Sequence, residues 1–149
     1  NSAALAELAR STRVPITASE TLGTRWSFRE FFEQRAIGIA MLDVSWCGGL
    51  SEARKIAAMA EAYQLPVAPH DCTGPVVFMA SVHLSLNASN ALIQETVRAF
   101  YTGWYTELVT ALPRIEGGYV YPPEGAGLGL ELVPGLEKRA DATVRMSSA

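Results

Sequence analysis

The stretch PVAPHDCTGP, residues 66–75, decides how the rest of the chain is read. Val67 and Ala68 form a short apolar run that stops at Pro69, with His70 and Asp71 just past its end. Cys72, Thr73 and Gly74 make a loop, and Pro75 stands where a helix can begin, because proline is tolerated in the first helical turn. An apolar run, a polar pair and a proline-started helix make one strand-to-helix unit. In α/β folds, ligands gather at the carboxyl ends of such strands.

Working outward, the same unit recurs. Residues 14–18 (VPITA) read as a buried strand ending at Ser19 and Glu20, followed by a helix over 26–36 with Phe28, Phe31 and Phe32 at helical spacing. Residues 37–42 (IGIAML) read as a second strand ending at Asp43, and Gly48-Gly49 breaks the loop after it. A helix over 50–64 follows, with Ser51 as its N-cap and Ile56, Met59, Ala60 and Tyr63 on one face. Glu52 is expected to reach toward Lys55 or Ile56. The helix after Pro75 runs over 76–87, and residues 91–94 (ALIQ) are a fourth strand ending at Glu95. Ahead of these units, SAALAELARS reads as a helix with Ala4, Leu5 and Leu8 on one face. Behind them come an aromatic, partly helical segment over 100–112, a short strand over 119–123, a glycine-rich turn and a polar tail over 139–149.

Glu20, Asp43, His70 and Glu95 recur at intervals of 23, 27 and 25 residues, which a strand, a loop and a helix fill. The apolar runs are near-continuous, as parallel strands buried on both faces require. Four such units fit half of a (β/α)8 barrel or a doubly wound open sheet. A full barrel needs roughly 250 residues, and this chain has 149. Half a barrel leaves strand edges unpaired, so the barrel reading expects a second half elsewhere.

Bulk properties narrow the partners. Nearly half of the residues (49%) are hydrophobic, enough for one domain with a sizeable core. The net charge is −3 and no basic block is present, which argues against a nucleic-acid or anionic-membrane surface. No apolar run reaches ~18 residues, so no membrane-spanning helix is expected. Two cysteines are too few for a disulfide framework, and a reducing cytoplasm is the default compartment. The chain opens on Asn1 inside helical sequence with no signal-peptide pattern, and reads as a piece of a longer polypeptide.

Three carboxylates and an imidazole projecting from one rim can hold a hard divalent cation and move a proton. A carboxylate beside a histidine fixes the ring's tautomer and stabilises its protonated form. The blocks carrying these residues resemble the enolase superfamily, in its mandelate racemase and muconate lactonizing branch of acid-sugar dehydratases, epimerases and cycloisomerases. The resemblance rests on ITASET around Glu20, LDVSWCGGLSEARKIAAMAEAY from Leu42, VAPH ending at His70, IQE ending at Glu95, and the late PPEGAGLGLEL.

The resemblance implies an α/β fold in which residues 1–99 are the C-terminal half of the barrel, strands five to eight. Residues 100–149 are then an extension that contacts a capping domain absent from this chain. It implies Glu20 as a magnesium ligand and Asp43 with His70 as the catalytic dyad. Glu95 then faces the substrate carboxylate. The implied reaction removes the proton α to the carboxylate of a sugar acid and gives an enediolate. Dehydration to a 2-keto-3-deoxy acid is the expected outcome, with epimerisation, racemisation or cycloisomerisation as alternatives. A non-catalytic truncated barrel module is the reading outside enzymology. The family's other two metal ligands and its Lys-x-Lys motif lie outside this chain. Alone, it is therefore expected neither to bind magnesium tightly nor to turn over. A homo-oligomer is also expected.

Other residues carry weaker signals. Asp71 either touches substrate or caps its loop, and Trp46 either lines the pocket or packs. His83 reads as a packed or solvent-facing helical histidine. Cys47 and Cys72 read as inert loop thiols. Gly125, Gly127 and Gly129 do not follow a buried strand or precede a helix, which argues against a dinucleotide site. Tyr101, Trp104 and Tyr105 read as core or as a subunit contact.

Overall fold

A computed structural model describes residues 1–147; positions 148 and 149 of the expected polar tail lie outside the described residues. The sheet is parallel and threads the chain in order. β1 (Thr17–Ala18) pairs with β2 (Ile39–Ala40), Ala40 pairs with Val67, and Val67 pairs with Ala91. Staggered backbone bonds carry the ladder outward: Met41 N to Ala18 O at 2.9 Å, His70 N to Leu42 O at 2.8 Å, and Glu95 N to Pro69 O at 3.2 Å. The regular strands are shorter than the apolar runs. Pro15, Pro66 and Pro69 have no N–H to give, so at these positions the chain can only accept, as Pro66 O does from Ala40 N at 2.9 Å.

α1 (Ser2–Ser11) precedes β1, and α2 (Thr24–Glu33), α3 (Leu50–Ala62) and α4 (Pro75–Asn87) return the chain between successive strand positions. Pro75 occupies the first turn of α4 as its fixed φ allows. On α2, Phe28, Phe31 and Phe32 are buried and drive the helix onto the sheet. Four details depart from the sequence reading. Residues 14–18 read as a buried strand, but Val14 and Thr17 are exposed because β1 lies at the edge of the sheet. In α1 the buried residues are Ser2 and Ala6, with Leu5 partly buried, while Ala4 and Leu8 face out; small side chains sit where α1 meets α2. Ser51 is not an N-cap, because Gly49 at φ +92° holds that position, two residues earlier, and the helix begins at Leu50. Glu52 pairs with Arg25, taking that residue's backbone N–H at 2.8 Å and its Nε–H at 2.9 Å, and so ties the start of α2 to α3.

α4 is apolar around its circumference because it is covered on two sides. Ala80 and Leu84 join the main core, while Phe78 and Val82 join a second cluster with Tyr105. That second cluster is the seat of the C-terminal segment, with Phe100, Leu112, Ile115 and Val120 packed against it. The segment contains a short α5 (Arg98–Tyr101), a 3-10 turn (Trp104–Glu107) and a hairpin of β3 (Ile115–Glu116) and β4 (Tyr119–Val120). Gly117 and Gly118, at φ +60° and +83°, make the hairpin turn that positive φ requires. Among the described residues no helix is long and apolar enough to cross a membrane.

Candidate active site

Asp43, His70 and Glu95 meet at the carboxyl ends of neighbouring sheet positions. Asp43 is fully buried, and its two oxygens divide the work. Oδ1 accepts from Ser45 N at 2.8 Å, from Trp46 N at 3.2 Å and from the Ser45 hydroxyl, closing the turn after β2 on itself. Oδ2 accepts from His70 Nδ1 and from Thr73 Oγ1, each at 2.9 Å. Burial pushes the Asp43 carboxyl upward, but the hydrogen bonds from Ser45, His70 and Thr73 together outweigh it and hold the acid below its ordinary range.

The ionised acid fixes the histidine. With Nδ1–H donating to Asp43, Nε2 is left as the basic nitrogen. It points toward Glu95, whose Oε2 stands 3.9 Å away. Glu95 is itself held: the backbone N–H of Asp71 donates to Oε2 at 3.0 Å. His70 keeps 12% of its side-chain surface exposed and Glu95 40%, so both remain open to a ligand on the rim. The Trp46 ring lies 6.2 Å from the His70 ring, half exposed, and forms one wall beside the imidazole.

Asp71 differs from the substrate-facing alternative. Its side chain is fully buried and turned into the protein, where Oδ1 accepts from Tyr105 O–H at 2.9 Å and Oδ2 from Thr96 Oγ1 at 3.1 Å and Val97 N at 3.4 Å. It ties its own loop to the loop after the fourth strand position and to the C-terminal segment. Burial raises its carboxyl above the ordinary range, with the charge of Glu95 adding to the rise and the three donors opposing it.

Glu20 follows β1, half-buried, and its charge is felt at Cys72 on the same rim. One carboxylate is not a metal site. Among the described residues no group of three or more His, Cys, Asp or Glu side chains is placed to hold a metal ion. The residues present therefore do not by themselves fit a magnesium ion.

The remaining signals resolve into packing. Cys47 is buried, and burial followed by the Asp43 charge pushes its thiol up to about 11. Cys72 is exposed, and its thiol too is raised, slight burial coming ahead of the surrounding acids. Neither has the lowered pKa of a nucleophile. His83 is half-buried on α4, with Nε2 3.1 Å from Leu128 O in the glycine-rich turn. Tyr105 lies in the core of the second cluster. Thr73 and Ser45 escaped the sequence reading. Ser45 carried a usable sign, since a hydroxyl two residues after an aspartate closes an Asx turn.

The chain belongs to the family described as enolase C-terminal domain-like, whose model matches residues 1–136. Among curated relatives, it is 36% identical over 132 residues to a D-galactonate dehydratase of Ralstonia pickettii (strain 12J), covering 85% of this chain and 35% of that protein. It is 36% identical over 130 residues to a D-galactonate dehydratase of Cronobacter sakazakii (strain ATCC BAA-894), covering 84% of this chain and 34% of that one. Among solved structures, an enolase of the mandelate racemase subgroup from Agrobacterium tumefaciens matches with TM-score 0.84 and 61% identity, over 93% of this chain and 37% of that chain. An enolase protein from Sargasso Sea environmental sequencing matches all of this chain and 40% of its own, with TM-score 0.91 and 48% identity. The chain thus spans about a third of the length of the curated relatives it matches.

Proposed function

We propose that this chain supplies the proton-transfer residues of an enzyme that removes the proton α to the carboxylate of a sugar acid and then expels a β-hydroxyl as water. One observation carries the reading: His70 Nδ1 sits 2.9 Å from the buried, ionised Asp43, so Nε2 is a positioned base facing an open rim. Nε2 takes the α-proton, and the C–H electron pair passes into the carboxylate as an enediolate. The imidazolium is stabilised by Asp43. Collapse of the enediolate breaks the β-carbon–oxygen bond, and His70 returns its proton to the departing hydroxyl. Glu95 faces the substrate carboxylate, and Trp46 walls the site beside the ring. Support for a sugar acid comes from the D-galactonate dehydratases among the relatives.

The same reading assigns residues 1–99 to strands five to eight of a (β/α)8 barrel. It gives residues 100–149 to an extension against a capping domain. Glu20 is then one of several magnesium ligands, the others lying outside this sequence.

The test is proton NMR in D2O on the polypeptide that carries this chain, with magnesium and a panel of sugar acids that includes D-galactonate. Loss of the α-proton with formation of a 2-keto-3-deoxy product is expected, and His70→Asn should slow the exchange by at least ~100-fold. Exchange without loss of water would replace dehydration by epimerisation. Wild-type exchange in folded His70→Asn would remove His70 from the chemistry.

A further inference from the structure

The Asp43–His70 pair is held from a distance. The loop over 71–74 leaves His70 at one end and enters α4 at the other, and Thr73 within it donates to the same Asp43 oxygen as His70. Two of the loop's polar groups are fixed by a single buried phenol. The Tyr105 hydroxyl donates to Asp71 Oδ1 at 2.9 Å and accepts from Gly74 N–H at 3.2 Å. Gly74 sits at φ +128°, a backbone that favours glycine, so this corner of the loop is conformationally special.

Tyr105 itself cannot move easily. It is fully buried, edge-on to Trp104 at 4.6 Å between ring centroids and 5.6 Å from Phe100, in the cluster that holds the C-terminal segment against α4. A buried phenolic O–H needs partners, and the partners here are the two ends of the loop. The Asp71 backbone N–H that holds Glu95 lies in the same loop. One hydroxyl thus anchors the segment that presents His70, Thr73 and the tether of Glu95.

We propose that Tyr105 is a positioning residue for the Asp43–His70 pair, acting through the loop over 71–74. The inference rests on the acid–base reading above and extends it to a residue in the C-terminal segment, outside the β/α units. Without the hydroxyl, Gly74 N–H and Asp71 Oδ1 each lose a partner inside the protein. The loop then relaxes, and His70 and Thr73 drift on Asp43 Oδ2. A small misplacement of a reacting group is costly in rate even where nothing touching the substrate has changed.

The experiment uses Tyr105→Phe, which keeps the buried ring, in the polypeptide that carries this chain. Tyr101→Phe, at a half-buried neighbour, is the control. Expected is a loss of about tenfold in kcat for α-proton exchange with KM within about twofold, together with a shift of the His70 Nδ1–H resonance. Tyr101→Phe should change neither. Folded Tyr105→Phe with wild-type kcat and an unmoved His70 resonance would overturn the inference, as would a loss confined to KM. Should Tyr105→Phe fail to fold, Asp71→Ala cuts the same tether from the loop side. The same two measurements then decide: a lower kcat with a shifted His70 resonance supports the inference, and wild-type values of both overturn it. His70→Asn separates the two readings. If it retains exchange, the acid–base reading falls; if it is inactive while Tyr105→Phe is wild-type by both measurements, only the role of Tyr105 falls.

Discussion

Asp43 and Asp71 lie on neighbouring loops, both fully buried, and their carboxyls move in opposite directions. Desolvation is the largest single influence on each and favours the neutral acid in both. The difference is in the donors. Asp43 accepts five hydrogen bonds, among them that of a histidine able to carry positive charge. Asp71 accepts three, all from neutral groups, and has the carboxylate of Glu95 nearby. Burial therefore does not decide the charge of an acid at this rim; the count and kind of donors do. Asp43 is built to stay ionised and orient an imidazole. Asp71 is built to hold a loop.

Asp43→Asn breaks the comparison most sharply. The amide keeps the volume but removes the charge that selects the Nδ1–H tautomer and stabilises the imidazolium. Exchange of the α-proton, followed by NMR in D2O, should fall by ~100-fold or more. Its pH signature follows from the depressed folded pKa. Stabilisation from Asp43 is fully present above the ordinary aspartate value and is lost as pH falls through the lower folded value. Unfolding midpoints in denaturant against pH should show that acid limb in the wild type and a weaker one in Asp43→Asn.

Asp71→Asn should cost far less exchange, less than about tenfold, because its carboxylate touches the loop rather than His70. Its pH signature is reversed. With the folded pKa raised, the folded state binds the proton more tightly. Stability then declines as pH rises from the ordinary aspartate value through the raised one. Asp71→Asn should abolish that decline. Equal loss of exchange in the two variants, or slopes of the same sign, would erase the division of labour drawn between these acids.

The fold was legible in the sequence because its signal is local and repeated. Each apolar run ends in a polar residue, and Pro75 and the phenylalanines of α2 mark helices wherever they occur. That rhythm also put Asp43, His70 and Glu95 at equivalent points, and the folded chain brings them together. The direction of Asp71 was not legible. It adjoins His70, but its side chain finds Tyr105, 34 residues away on a segment that no periodicity connects to the loop. Glu52 failed for the same reason, its partner Arg25 being 27 residues distant on another helix. The hairpin was half legible. Tyr119 reads as strand, but the Gly117-Gly118 turn that pairs it with Glu116 has no apolar run on its far side to announce it.

The smallest expected effect tests whether the donors to Asp43 count one by one. Thr73→Val replaces a hydroxyl by a methyl of similar size and takes one hydrogen bond from Asp43 Oδ2. The His70 bond to the same oxygen and the three bonds to Oδ1 remain. Losing one donor among five should destabilise the fold by about 1 kcal/mol in denaturant unfolding. Exchange should slow by less than about tenfold, since the charge that orients His70 persists. The acid limb of stability should move toward higher pH, because one of the groups lowering the Asp43 pKa is gone. A Thr73→Val variant with an unmoved acid limb would mean that the turn around Ser45, with His70, suffices to keep Asp43 ionised. The hydroxyl of Thr73 would then serve only to tether the loop over 71–74 to the loop after β2. The contrast between Asp43 and Asp71 would rest on the Ser45 turn and the histidine rather than on the number of donors.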